Sequence, residues 1–426
     1  METPSLIPSR SSVPAADMHL PHDIKLHIAR EVYNDKALPD SLENIHNLIS
    51  LSMSSKSWRF ASLPYLYSHC GIGGRGNFAI ENWLVRILPQ YGQFTRSIDV
   101  ALCWIHSNYL PERERESMEL DQSGTTSPWE SARDALVAQL VAGLPKLSTV
   151  KLTMLMCTIP RELNECSCLN RFKSTVQAFE DGRFRSMTLH GLATAFCPRL
   201  AQAVFMPSAN MLQSIEFGDD LDGYPSLAQP FEQICQLPVL THATFAAGSF
   251  HEVNIESLPW ICPLETVLIS NQTMDYVRQP LSIEQMSIFV QNFSSSLRSL
   301  ALEDVVIDSQ VGTGNQALPD LPYLATFSLR STRNSTFRAL ELLEAHTFES
   351  LSITISPAVE PALLLNALSK GAFPELMTIE IRFNPRDNWS TSSRWYSNAR
   401  AAVQKICDTR FIKLTMSEHK RQKARI

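Results

Sequence analysis

One phrase recurs along most of this chain, and any fold must accommodate it: an apolar anchor, two residues, an apolar residue, one residue, and another apolar residue. Six copies are plain, at Leu147/Val150/Leu152, Leu212/Ile215/Phe217, Leu264/Val267/Ile269, Leu297/Leu300/Leu302, Leu324/Phe327/Leu329 and Leu376/Ile379/Ile381. Four are weaker, at Phe184/Met187/Leu189, Leu240/Ala243/Phe245, Phe348/Leu351/Ile353 and Phe411/Leu414/Met416. Apolar residues two apart share one face of an extended chain, so each copy predicts a short strand with one buried side. Consecutive anchors lie 24 to 37 residues apart, which leaves room for a helix in each interval. Helical periodicity is present in SARDALVAQLVAG, SIEQMSIFVQNF, TFRALELLEA and PALLLNALSK. Strand plus crossover helix, repeated, predicts an α/β array of short parallel strands in which each unit buries its face against its neighbours. A globular α/β domain with fortuitous strands of this pattern is the competing reading.

Composition narrows the function classes. Hydrophobic residues make up 44% of the 426 and charged residues 19%, enough apolar surface to offset the ordering entropy of a mostly folded chain. With 37 Lys and Arg against 43 Asp and Glu, the formal charge is -6. No broad positive field is available to gather phosphates, so neither nucleic acid nor a membrane surface is an expected partner. The nine cysteines are scattered and form no CxxC pair, as expected of reduced, buried thiols. The first residues lack the apolar run of a secretory signal, and no window resembles a membrane span. Cytosol or nucleus is the expected compartment.

The amino-terminal part follows a different pattern. Residues 1–18 are rich in Ser, Pro and small side chains and predict a disordered tail. In LPHDIKLHIAREV, Leu20 and Pro21 precede Ile24, Ile28 and Val32 at helical spacing, an apolar stripe on a short helix. The stretch NDKALPDSLENIHN, with Pro39, interrupts it. LISLSMSSKSWRFASLPYLYSHCGI then resumes with Leu48, Leu51 and Trp58 at helical offsets, and Pro64 is expected to end that helix or begin another. Three short helices are predicted. The combination of LP, spaced aliphatics, LxxLSxxSKxWR and LPYLY resembles the F-box, in its fungal versions, over residues 19–72. That resemblance implies docking on a Skp-family adaptor and through it on a cullin, with Leu20, Pro21, Ile24, Ile28, Leu48, Leu51 and Trp58 at the family's core and contact positions. Met53 stands where the family tends to carry valine.

Residues 73–416 are in turn similar to the leucine-rich-repeat region of F-box proteins, which implies a solenoid that binds a target protein. The Asn or Cys that follows LxxLxL in that family is largely missing, Asn384 and Cys157 being among the few candidates. The expected activity is that of a non-catalytic substrate-recognition subunit of a ubiquitin ligase, without cofactor or metal. The alternatives are a repeat-based interaction scaffold without ubiquitin ligation and a nucleotide-dependent enzyme.

The enzyme alternative rests on Gly71, Gly73 and Gly76, spaced as GxGxxG, with Asp99 downstream where an acid holds a ribose hydroxyl. A buried strand should precede such glycines, whereas SLPYLYSHC is polar and proline-broken, so the glycines read as a turn into the first repeat. Asp220-Leu221-Asp222-Gly223 imitates part of a calcium loop but has Gly218 at the first ligand position and Gln229 at the last. Cys166 and Cys168 have no partner pair at zinc-ribbon spacing. Residues 107–128 read as a charged, then Ser/Thr/Gly-rich mobile loop, and residues 417–426 as a basic tail.

Overall fold

The computed structural model describes residues 20–34, 41–73, 75–102, 128–155, 168–192, 197–220, 231–247, 250, 253–270, 281–303, 305, 307–308, 318–331, 340, 347–355, 362–370, 373–383 and 400–418. The expected tail at 1–18, nearly all of the loop at 107–128, the helix pattern TFRALELLEA apart from Leu340, Cys157, Asn384 and residues 419–426 lie outside that set. The chain divides into two compact units, Met1–Tyr67 and Ser68–Ile426.

Among the described residues the small unit contains three helices: α1 (His22–Asn34), α2 (Ser41–Ser54) and α3 (Lys56–Leu66). Three expectations need correcting. α2 begins inside the stretch expected to interrupt the helices, and it stops before Trp58, because Ser55 caps α3 by accepting the Trp58 N–H. Pro64 lies within α3 without breaking it. A proline strands the carbonyl four residues earlier, here that of exposed Phe60, where water can serve it, and the helix ends two residues later. The face that α1 buries is also not the Ile24/Ile28 stripe. It centres on Lys25 and Ala29, with Ile28 and Val32 half-buried at its border and Ile24 exposed. Ala29 allows close helix approach. Lys25 is tolerated because its Nζ donates to Ser57 Oγ at 2.7 Å and lies 5.7 Å from the centre of the Trp58 ring.

The large unit is built on one twelve-stranded sheet of parallel strands. Among the described residues the strands are β1 (His69–Gly73), β2 (Ser97–Ala101), β3 (Thr149–Leu155), β4 (Ser186–Leu192), β5 (Ser214–Asp220), β6 (His242–Ala246), β7 (Thr266–Ser270), β8 (Leu281–Ser282), β9 (Ser299–Glu303), β10 (Ile307–Asp308), β11 (Thr326–Ser331), β12 (Ser350–Ile355), β13 (Thr378–Phe383) and β14 (Lys413–Glu418). β8 and β10 pair separately, and the other twelve lie side by side in chain order. All ten recurring phrases fall on strands of this sheet, and their middle apolar residues are in register. Val150, Met187, Ile215, Ala243, Val267, Leu300, Phe327, Leu351, Ile379 and Leu414 form one row across it. A continuous apolar core runs beneath that row from Cys70 to Ile412. Between its ends, Phe231, Phe245, Phe250, Trp260, Phe289 and Phe293 pack largely edge to face, with neighbouring centroids 5.1–6.3 Å apart.

Regularity is set where each strand begins. The carbonyl of the residue before one strand accepts two successive N–H groups at the start of the next: Ser68 from Arg96 and Ser97, Arg96 from Ser148 and Thr149, and so on to Glu349 from Met377 and Thr378. This backbone relay repeats without asking for any particular side chain, so intervals of unequal length still deliver strands in register.

Three sequence expectations differ from the structure here. β1 and β2 escape the pattern: β1 is HCGIG and β2 is preceded by buried Thr95 in the anchor place. The boundary expected at residue 72 therefore falls inside β1, which belongs to the large unit. Phe411 is not an anchor. It adopts φ 58° and stays 95% exposed, while Ile412 takes the buried place.

Candidate docking surface

The small unit leaves one helix face bare. α2 turns Asn44 and Leu48 inward, and Leu51 is half-buried beside them. Ile45, Ile49 and Met53, rotated by one residue and spaced i, i+4, i+8, point away, with Ile49 40% and Met53 80% exposed. Phe60 of α3 is 63% exposed, and Leu20 and Ile24 are exposed as well. An amphipathic helix needs one apolar stripe, and α2 has two. Its interior serines do not disturb the outer stripe, because Ser50 and Ser52 donate to carbonyls of the preceding turn.

Of the residues expected to meet an adaptor, Leu20, Pro21 and Ile24 are exposed, Ile28, Leu51 and Trp58 are half-buried, and Leu48 is wholly buried. Ile45, Ile49, Met53 and Phe60 were not among those candidates. The signal of the first three is legible in ENIHNLISLSM once the helix is begun at Ser41 instead of after Asn47.

The open side of the large sheet has another chemistry. Register aligns Ser97, Thr149, Ser186, Ser214, His242, Thr266, Ser299, Thr326, Ser350 and Thr378 in one row of mostly hydroxyl groups. The charges beside that row pair among themselves: Lys151 with Asp99 at 3.5 Å, Arg330 with Glu303 at 3.4 Å, and Arg382 with Glu380 at 2.7 Å. The face is therefore polar, with these charges paired and Glu216 of β5 accepting from the Thr188 hydroxyl at 3.2 Å.

The glycine motif does have a strand and a helix around it, contrary to the reading of SLPYLYSHC. β1 carries Gly71 and Gly73, and a six-residue helix, Asn77–Asn82, starts after Gly76. Its chemistry is nevertheless filled from within. Buried Arg133 donates to the carbonyls of Gly73 at 3.1 Å, Arg75 at 2.5 Å and Ala101 at 2.9 Å, so a cation bound to carbonyls holds the loop. Asp99 sits mid-strand opposite Gly71 and faces Lys151.

Near these residues, His69 Nδ1 lies 2.9 Å from Ser97 Oγ. Partial burial lowers the His69 pKa, which Asp99 opposes. Ser97 Oγ also reaches the Ser68 carbonyl at 3.5 Å, so its proton has a backbone acceptor; a nucleophile would need its base to take that proton. These contacts tie β1 to β2. Burial pushes the Cys262 thiol up to about 12 and raises Cys70 further still, which keeps both as inert thiols at neutral pH. Among the described residues, no three His, Cys, Asp or Glu side chains are placed to hold a metal, and no helix is long and apolar enough to cross a membrane.

No protein-family model matches the chain, and no curated protein matches it.

Proposed function

We propose that the chain is the substrate-recognition subunit of a Skp-cullin-F-box type ubiquitin ligase, with residues 20–66 as an F-box helix cluster that docks on the adaptor. The observation that carries this reading is the second apolar stripe of α2, Ile45/Ile49/Met53, which is exposed, as is Phe60 of α3. Burying such a stripe in a partner's groove is helix-in-groove recognition, with aliphatic anchors supplying the affinity. The parallel sheet supports reading residues 68–418 as a leucine-rich-repeat-like solenoid whose open face holds the target. That face recognises through shape and hydroxyl hydrogen bonds, beside ion pairs that already engage Asp99, Glu303 and Glu380. The subunit performs no chemistry; it raises the local concentration of its target near a thioester held elsewhere in the assembly. Cytoplasm and nucleus are the compartments where such an assembly works.

Co-purification with a Skp-family adaptor tests the reading. Ile49→Asp combined with Met53→Asp alters two exposed positions, so the helical circular dichroism is expected to be unchanged while adaptor affinity falls by about 2 kcal/mol, roughly 30-fold. Undiminished binding by this double variant would show that α2 is not the docking face. A wild-type chain that captures no adaptor would leave the sheet as an interaction scaffold outside ubiquitin ligation.

A further inference from the structure

We propose that β14 is a self-association edge: two copies of the chain pair their β14 strands antiparallel about a two-fold axis perpendicular to the sheet, so that one sheet continues across both molecules. Among the described residues β14 pairs with β13 alone. Lys413 donates its N–H to Met377 on the β13 side; strand alternation then turns the N–H and C=O of Leu414 and Met416 toward the open side. An edge with free donors and acceptors is a template for another strand.

Self-complementarity selects a second copy as the occupant. Leu414 and Met416 lie on the apolar side and are only half-buried, while Thr415 lies on the open face and is exposed. The perpendicular axis keeps like faces together. It sets Leu414 of one copy opposite Met416 of the other, Thr415 opposite Thr415 and Lys413 opposite Ser417, and no two like charges meet. An axis parallel to the strands would instead set apolar side chains against hydroxyls. At the foot of the same edge, Phe411 holds a backbone conformation that favours glycine and leaves its ring 95% exposed. An unpartnered phenyl kept in that way is an interface residue without its partner.

Sedimentation of the purified full chain across the micromolar range tests the proposal. A monomer-dimer equilibrium is expected for the wild type. Met416→Pro removes an N–H that β13 does not use, and Met416→Lys adds a charge to the edge; both are expected to sediment as monomers with unchanged circular dichroism. Thr415→Cys, an exposed replacement at the axis, is expected to form a disulfide-linked dimer under mild oxidation, and Gln404→Cys, exposed on the neighbouring helix, is not. A wild type that stays monomeric throughout overturns the proposal, as do Met416 variants that remain dimeric or a Thr415→Cys chain that stays monomeric on oxidation.

Discussion

Phe411 shows how far a residue can depart from its place in a pattern. Its sequence position is that of an anchor three residues before the strand-core Leu414, yet the helix Arg400–Thr409 ends in a turn where the Ile412 N–H reaches back to the Cys407 carbonyl at 2.8 Å. That closure requires the residue between them to adopt positive φ, and Phe411 does so at 58°. An L-residue pays for this conformation and glycine does not. Phe411→Gly is therefore expected to raise the stability of the dilute monomer by about 1 kcal/mol, the lower backbone strain outweighing the extra freedom of glycine in the unfolded chain. Urea denaturation of both forms well below the dimerisation range measures it, and a loss of stability would mean that the exposed ring makes contacts worth more than its strain.

Among the elements, legibility followed periodicity. Period-two patterning placed ten of the twelve strands of the main sheet, because a strand buried on one side must alternate. It was silent on β1 and β2, where glycines and a buried Thr95 replace aliphatics. The helix patterns over 131–143, 282–293 and 361–370 correspond to helices at Pro128–Gly143, Ile283–Gln291 and Ala362–Ser369. The small unit was harder to read. Period 3.6 finds an apolar stripe but not which of two stripes turns inward, and in α1 the buried face includes a lysine that only Ser57 and Trp58, distant in sequence, make tolerable. The outer stripe of α2 was readable in principle and was hidden by a misplaced helix start. Arg133 was invisible for the same reason as Lys25: a charged residue in a helix reads as solvated, while its acceptors are carbonyls of Ala101 on β2, of Gly73 at the end of β1 and of Arg75 after it. It ties the helix Pro128–Gly143 to both strands, so Arg133→Met is expected to cost about 3 kcal/mol by leaving buried carbonyls unpaired. Arg133→Lys should recover little, since an ammonium cannot span three acceptors set for a guanidinium fork. Equilibrium unfolding of both variants provides the comparison; full recovery by lysine would mean that charge alone matters at this site.

At the scale of the whole large unit, strands added in chain order give a stability that depends on position. A central strand of the described sheet has two neighbours and an edge strand one. Leu300 on β9 and Leu414 on β14 occupy the same row, but Leu300 is fully buried and Leu414 only partly. The same truncation should therefore have unequal consequences. Leu300→Ala is expected to cost about 3 kcal/mol, the usual loss for an emptied core site, and Leu414→Ala about 1 kcal/mol. Amide exchange adds a spatial prediction that separates a linear stack from a single cooperative globule. In the stack, Leu414→Ala speeds exchange in β14 and β13 and leaves β5 to β7 protected, because loss of the last unit uncovers only the one beneath it. If Leu414→Ala instead lowered protection equally from β2 to β13, the sheet would be one folding unit despite its serial construction, and the edge would be coupled to the core as tightly as any central strand.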